Sequence, residues 1–384
     1  MSVIRTTNNP RMLSWAREDI GYRIQQASEA TGISESMLLA AEAGEHKLTL
    51  NQLRFAAEKY DIPFGYLYFS EPPHKHLHKP VPDFRIEPDF RGNNHFRLDY
   101  EIKKCRDNRE VFLELALSLD EEVNAFKVFR TEKINNVGSE IRSRLGVADK
   151  DISLLTYDES YNYWKNKIEA DGVLVYESQY IPDETGVIGM AIFYEVLPII
   201  LIKRGPYFNE RKLFTLLHEY AHLLYGKSAI NDASSLIIDE PISNEANIEG
   251  LCNKLAAEIL IPSEKVVPEA FTKLELVEKM MLLAKTFKVT YSTAAVCLKR
   301  ANLIDHSQLQ HLLALRKKEV DKRKTEFRQP PQIPREIINR LDMGRPMFNV
   351  VLNAYNTGLL NVFDTSKILN LRVNKIDKLL SEMR

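Results

Sequence analysis

The chain is poor in several features that would place it at a glance. Its 384 residues include only three cysteines. Cys105, Cys252 and Cys297 form no C-x-x-C pair, so neither a disulfide framework nor a thiolate metal site is expected. The formal net charge is −1, so no global basic field argues for nucleic acid. No apolar run approaches the roughly 18 residues that suggest a membrane span, and residues 1–9 carry no signal-peptide pattern. These absences lead us to expect a cytoplasmic protein with no membrane partner. What remains is ordinary for a globular chain: 44% apolar and 27% charged residues, in a length sufficient for two or three domains.

Against this background one stretch stands out. Residues 213–225 are apolar at Leu213, Phe214, Leu217, Ala221 and Leu224, and carry His218, Glu219 and His222 among them. In a helix, positions i and i+4 share a face, so both imidazoles can reach one metal ion. Burying two histidines and a glutamate is costly unless they are used. The pattern is H-E-x-x-H, in which two histidines bind a metal and the glutamate between them is the candidate general base. An apolar, strand-like run over 189–202 precedes it.

A second helix is expected over 245–262, ended by Pro262. Glu245, Glu249 and Asn253 are spaced by four residues and share a face. A catalytic metal site wants three protein ligands and an open position. The chemistry admits Asp239, Glu240, Glu245 or Glu249 as the third ligand, and helix position favours Glu245 or Glu249. The remaining residues of that face, Asn253 and Glu245, are candidates for orienting a ligating histidine.

Residues 185–265 resemble the ImmA/IrrE metallopeptidases, whose hallmark is a strand, an H-E-x-x-H helix and a following helix that begins with a glutamate and ends at a proline. The resemblance rests on Arg211 to Leu224 and on Glu249 to Pro262, with Cys252 and Leu255 as apolar departures. It implies Glu249 as the third ligand beside His218 and His222, Glu219 as the catalytic base, and one Zn²⁺ per chain, with Mn²⁺ or Fe²⁺ as other occupants. It also implies a regulatory endopeptidase that cleaves a specific protein, such as a repressor or antitoxin. The alternative is a DNA-binding regulator or antitoxin whose peptidase-like domain acts as sensor or scaffold. Tyr207, Tyr220 and Tyr225 are equal candidates for stabilising an oxyanion.

The expected fold class is mainly α with a small β-sheet (α+β), a zincin-like core flanked by helical domains. Residues 1–69 should form short helices, and Gly32 to Ser34, Glu42 to Gly44, Leu50, Leu53, Ala56 and Ile62 resemble an XRE-type helix-turn-helix. The helix that would read bases begins at Ser34, Glu35, Ser36 and Met37, which are the candidate DNA contacts. It offers no Arg, Lys, Asn or Gln, the side chains that read base edges. Seven basic residues face eight acidic ones through residue 69, a poor balance for phosphate binding. DNA, a docked protein and a second copy of the chain are the partners weighed for this segment.

Residues 70–95 read as a Pro-rich linker, with His74, His76 and His78 as solvated linker residues. Residues 96–170 read as a helical connecting region with a long helix over 98–128, and 171–328 as the peptidase domain. Within it, residues 186–193 and 198–203 suggest a hairpin, and 186–193 is the candidate edge strand for a bound peptide. Residues 226–244 read as a polar loop. A basic run over 316–328 reads as a solvated helix, and 329–384 as a C-terminal helical extension.

Overall fold

The computed structural model describes residues 9–20, 22–60, 62, 64–71, 95–129, 137–204, 209–232, 244–266, 274–314 and 335–376. The histidines at 74, 76 and 78, the acids Asp239 and Glu240, Tyr207 and the basic run over 316–328 lie outside them. The chain divides into two compact units, Met1–Lys103 and Lys104–Arg384. Helix α5 (His95–Ser118) runs across that boundary. Among the described residues no helix is long and apolar enough to cross a membrane.

The first unit contains α1 (Pro10–Asp19), α2 (Ile24–Thr31), α3 (Glu35–Glu42) and α4 (Leu50–Lys59), followed by a 3-10 turn over Phe64–Tyr68. Local chemistry sets these limits. Asn9 caps α1, and Pro10 starts it where a missing N–H costs nothing. Thr49 and Gln52 form a reciprocal capping box on α4. Gly32, at φ 66°, ends α2 in the left-handed region and turns the chain into α3 within three residues. Leu13, Ala16, Leu38, Leu48, Leu53, Ala56 and Tyr60 fill the core. Arg17 crosses from α1 to grip Glu42 of α3 with two bonds of 2.7 and 2.9 Å. Both side chains are nearly buried, so the pair fixes how α1 lies on α3.

The second unit is built on a four-stranded sheet of β1 (Leu174–Ser178), β2 (Val187–Ile192), β3 (Ile199–Lys203) and β4 (Ala229–Asp232), in the order β1-β3-β2-β4. β1 and β3 are parallel, while β2 runs antiparallel to both β3 and β4. Every residue of the first three strands is buried. Both faces are therefore covered, which suits their unbroken Val, Ile and Leu content. On one face lie α8 (Tyr157–Ala170) and α9 (Asn209–Leu224). α10 (Asn244–Leu260) packs along α9 and on α6 (Val137–Arg144). α7 (Asp149–Leu154), α11 (Leu276–Phe287) and α12 (Tyr291–Arg300) complete this side.

α6, α8 and the strands share one apolar core with α9 and α10, including Ile141, Trp164, Ile168, Val175, Leu217 and Ala256. C-terminal helices α13 (Arg335–Met343), α14 (Arg345–Asn356) and α15 (Val362–Leu369) have a smaller core that includes Leu115 of α5. α13 packs along β1. Gly344 joins α13 to α14 at φ 77°, and a Cβ there would lie 2.8 Å from the Val175 carbonyl oxygen.

Three expectations need correction. The long helix over 98–128 stops at Ser118. Asp120 adopts φ 55°, and the chain then runs alongside the sheet, where Ala125 bridges Val196 and the Phe126 N–H reaches the Glu195 carbonyl. The strand at 187–192 is interior, between β3 and β4. β4 takes the edge. It lies within the stretch expected to be a loop, and four residues with two polar members give almost no alternation to detect.

Candidate metal centre

α9 presents His218, Glu219 and His222, all at 1% exposure or less. Its polar stripe meets the sheet and α10, while Leu213, Leu216, Leu217 and Leu224 enter the core. Tyr220 projects elsewhere: its hydroxyl donates to Asp171 Oδ2 at 2.7 Å. That bond anchors α9 to the end of α8 and removes Tyr220 from the oxyanion candidates. Tyr225 is half-buried, and burial raises its hydroxyl pKa to about 12.

Glu249 of α10 completes the group. Its Oε2 lies 3.1 Å from His218 Nε2 and its Oε1 lies 3.3 Å from His222 Nε2. The two Nε2 atoms are themselves 3.1 Å apart. These three side chains form the only metal-ligand cluster found among the described residues. The acid that follows the motif by 27 residues is thus placed on it from another helix. Glu245 lies in α10, but its side chain falls outside the described residues.

The electrostatics favour a cation at this point. Burial alone would raise the Glu249 pKa. Hydrogen bonds with both histidines outweigh burial and hold it at about 2, so the carboxylate is an anion. Burial disfavours protonated His218, but Glu249 and the nearby Glu219 charge reverse this and raise its pKa. Burial lowers that of His222, and the adjacent His218 charge adds to the lowering. Two imidazoles in edge contact cannot both hold protons on facing nitrogens. One positive centre between them satisfies all three donors. The site therefore fits a single divalent ion held by two nitrogens and one carboxylate, the donor set common at catalytic zinc.

Two further residues shape the centre. Asn253, 2% exposed, lies one turn after Glu249 and within hydrogen-bonding reach of His218. Gly189 of β2 faces Glu219: a Cβ there would come within 2.4 Å of Glu219 Oε1 and 2.6 Å of Thr215 Cγ2. Only glycine lets α9 approach the strand this closely, and sequence reasoning did not single it out. Its one signal is a glycine inside an apolar strand, which marks a bulge or a close backbone approach. The β2–β4 register does shift between Val187 and Gly189. Cys252 is fully buried beside the acids, and burial raises its thiol pKa, so it packs as a small apolar group.

At the proposed DNA contacts the geometry is different. Ser34 stands at the N-cap position of α3 without a side-chain capping bond, and Ser34, Glu35 and Ser36 are exposed while Met37 is half-buried against Gln52. They share a surface but converge on nothing.

A buried H-E-x-x-H helix joined by a carboxylate from the next helix defines a metallopeptidase-like centre. Residues 192–299 match the family model of the IrrE N-terminal-like domain, Peptidase_M78. The match spans β3, α9, β4, α10, α11 and α12, and it supports a peptidase-like function of the ImmA/IrrE kind. No curated protein and no solved structure matches the chain significantly.

Proposed function

We propose that the chain is a zinc-dependent endopeptidase that cleaves a specific protein partner, of the repressor or antitoxin kind, under regulation. The observation that carries this proposal is the convergence of His218, His222 and Glu249 within 3.3 Å, with buried Glu219 alongside but outside the ligand set. His218 and His222 would hold the ion through Nε2, and Glu249 would hold it through a carboxylate oxygen. Bound zinc would polarise a scissile carbonyl and make water acidic enough to ionise near neutral pH.

The chain's own contribution is position and proton transfer. Glu219, pressed against Gly189, accepts the proton of the attacking water and delivers it to the leaving amine. Asn253 orients His218. With β2 interior, β4 is the edge available for a substrate strand, which would bind through main-chain hydrogen bonds. The α2–α3 pair resembles a helix-turn-helix because a glycine-containing three-residue turn joins two short helices. In this proposal the first unit recruits the regulated partner, which is DNA or a protein.

The experiment is incubation of the full chain, with zinc, against candidate regulators encoded beside it, compared with Glu219→Gln. Site-specific cleavage by the native chain alone supports the proposal. Equal cleavage by Glu219→Gln would refute the assigned role. A gel shift with its own promoter, weakening steeply with salt and intact in Glu219→Gln, would favour the alternative of a DNA-binding regulator with a sensing peptidase-like domain.

A further inference from the structure

Outside the metal centre, Glu177 is one of the most deeply buried charged groups of the second unit. It lies on β1 at 1% exposure, with Lys165 at 4% and Lys212 at 8%. Its Oε1 accepts from the Tyr161 hydroxyl at 3.0 Å and from Lys165 Nζ at 3.3 Å. Its Oε2 accepts from Lys212 Nζ at 2.5 Å. Lys212 also sits 4.5 Å above the Tyr161 ring. The C-terminal helices close the cluster: Lys165 donates to the Leu341 carbonyl, and the Arg345 N–H donates to Glu169 Oε1, both at 3.3 Å.

Buried ion pairs are poor stabilisers compared with apolar packing, so their placement calls for a reason. Lys212 lies in the first turn of α9, where the helix dipole disfavours a cation. Glu177 supplies the anion that this end of the helix wants. Lys212, Thr215, Ile188, Ile202 and Lys203 line a small, partly open cavity beside this end of α9.

Glu219 follows Lys212 by seven residues, two turns and about 10 Å along the same face. One end of that stripe is held by Glu177, and the other presses on Gly189. α10 packs along α9 and also has anchors of its own. Its Glu258 binds Arg300 and Ser263, and it packs on α6. The histidines thus ride on a helix tethered by Glu177, whereas Glu249 rides on one that is not.

We propose that Glu177 is a positioning residue for the metal centre: by holding Lys212 it sets where α9 lies on the sheet, and hence where His218, His222 and Glu219 stand relative to Glu249. This inference rests on the metal-site assignment above. Lys165→Met and Lys212→Met each remove one lysine from the same buried carboxylate, so both lower the thermal midpoint. Only Lys212→Met releases α9. Zinc affinity of the full chain is measured by competition with a chromophoric chelator, with the fold checked by circular dichroism.

The expected result is a zinc affinity about tenfold weaker in Lys212→Met, the low end of what losing a supporting contact costs a metal site, and unchanged affinity in Lys165→Met. Native affinity in a folded Lys212→Met, or an equal loss in both variants, overturns the proposal. Should Lys212→Met not fold, Lys212→Gln is read by the same criteria. Failure of the native chain itself to bind zinc overturns the metal assignment first, and the positioning role with it.

Discussion

Helix α9, which carries candidate metal ligands, and helix α3, which carries candidate DNA contacts, are built in opposite ways. On α9 the polar side chains are buried, and they converge with a carboxylate from a separate helix. On α3 the candidate contacts Ser34, Glu35 and Ser36 are exposed. Burial of a charge requires compensation, so the first arrangement constrains what must occupy it. Exposed Ser34, Glu35 and Ser36 cost nothing and constrain nothing. Chemistry can be inferred from α9, whereas α3 offers only a surface.

The contrast breaks or sharpens under substitution. The largest effect is expected at Glu219. Glu219→Gln keeps the shape and removes the proton acceptor, so cleavage should fall by about 10²–10⁴-fold while zinc content stays near native. Parallel loss of metal would instead make Glu219 a ligand. Gly189→Ala adds a methyl where 2.4 Å separates it from Glu219 Oε1. It should cost about 10²-fold in cleavage through misplacement, again with zinc retained. Native turnover in this variant would show that the strand and α9 can part without harm.

In the first unit the sensitive residue is the partly buried Arg17. Arg17→Ala removes both bonds to Glu42 and should destabilise that unit by about 1.5–3 kcal/mol in denaturant melts, without altering zinc binding. Glu35→Ala on exposed α3 should move stability by less than about 0.5 kcal/mol. If it also tightens DNA binding by removing a negative charge, the contrast between the two helices is too sharp and α3 does face phosphate.

The Glu177 cluster adds a pH signature. Burial would raise its pKa, but the Lys165 and Lys212 charges, with hydrogen bonds from Lys212 and Tyr161, bring it down to about 2, from an ordinary 4.5. A depressed carboxylate stabilises the fold above its ordinary value and loses that contribution as pH falls toward its folded value. Melting temperature should therefore drop between pH 4.5 and about 2. The part of the drop that belongs to Glu177 should be absent in Glu177→Gln.

The sequence exposed the parts of this site that obey short-range periodicity. His218, Glu219 and His222 lie within one helical turn of each other, and Asn253 lies one turn after Glu249. Choosing Glu249 over its neighbours needed a family resemblance, because helix spacing alone left Glu245 open. Three features depend on contacts between distant segments and gave little sign. Gly189 has meaning only once α9 is laid across β2. β4 is too short, and too polar, for its alternation to register. Glu177 meets Lys212 across 35 residues of chain, so in sequence it is one charge in an otherwise apolar strand. Helix α4 was legible through its cap Thr49, whereas the Thr156 cap of α8 was not singled out. The long helix over 98–128 was overextended because Asp120, at positive φ, gives no warning that Gly or Pro would give.

The most direct test is the metal content of the native full chain beside His218→Ala and Glu249→Gln. The account predicts about one zinc per chain, lost in both variants while the helical content is kept. No metal in the native chain, even after incubation with excess zinc, would contradict it.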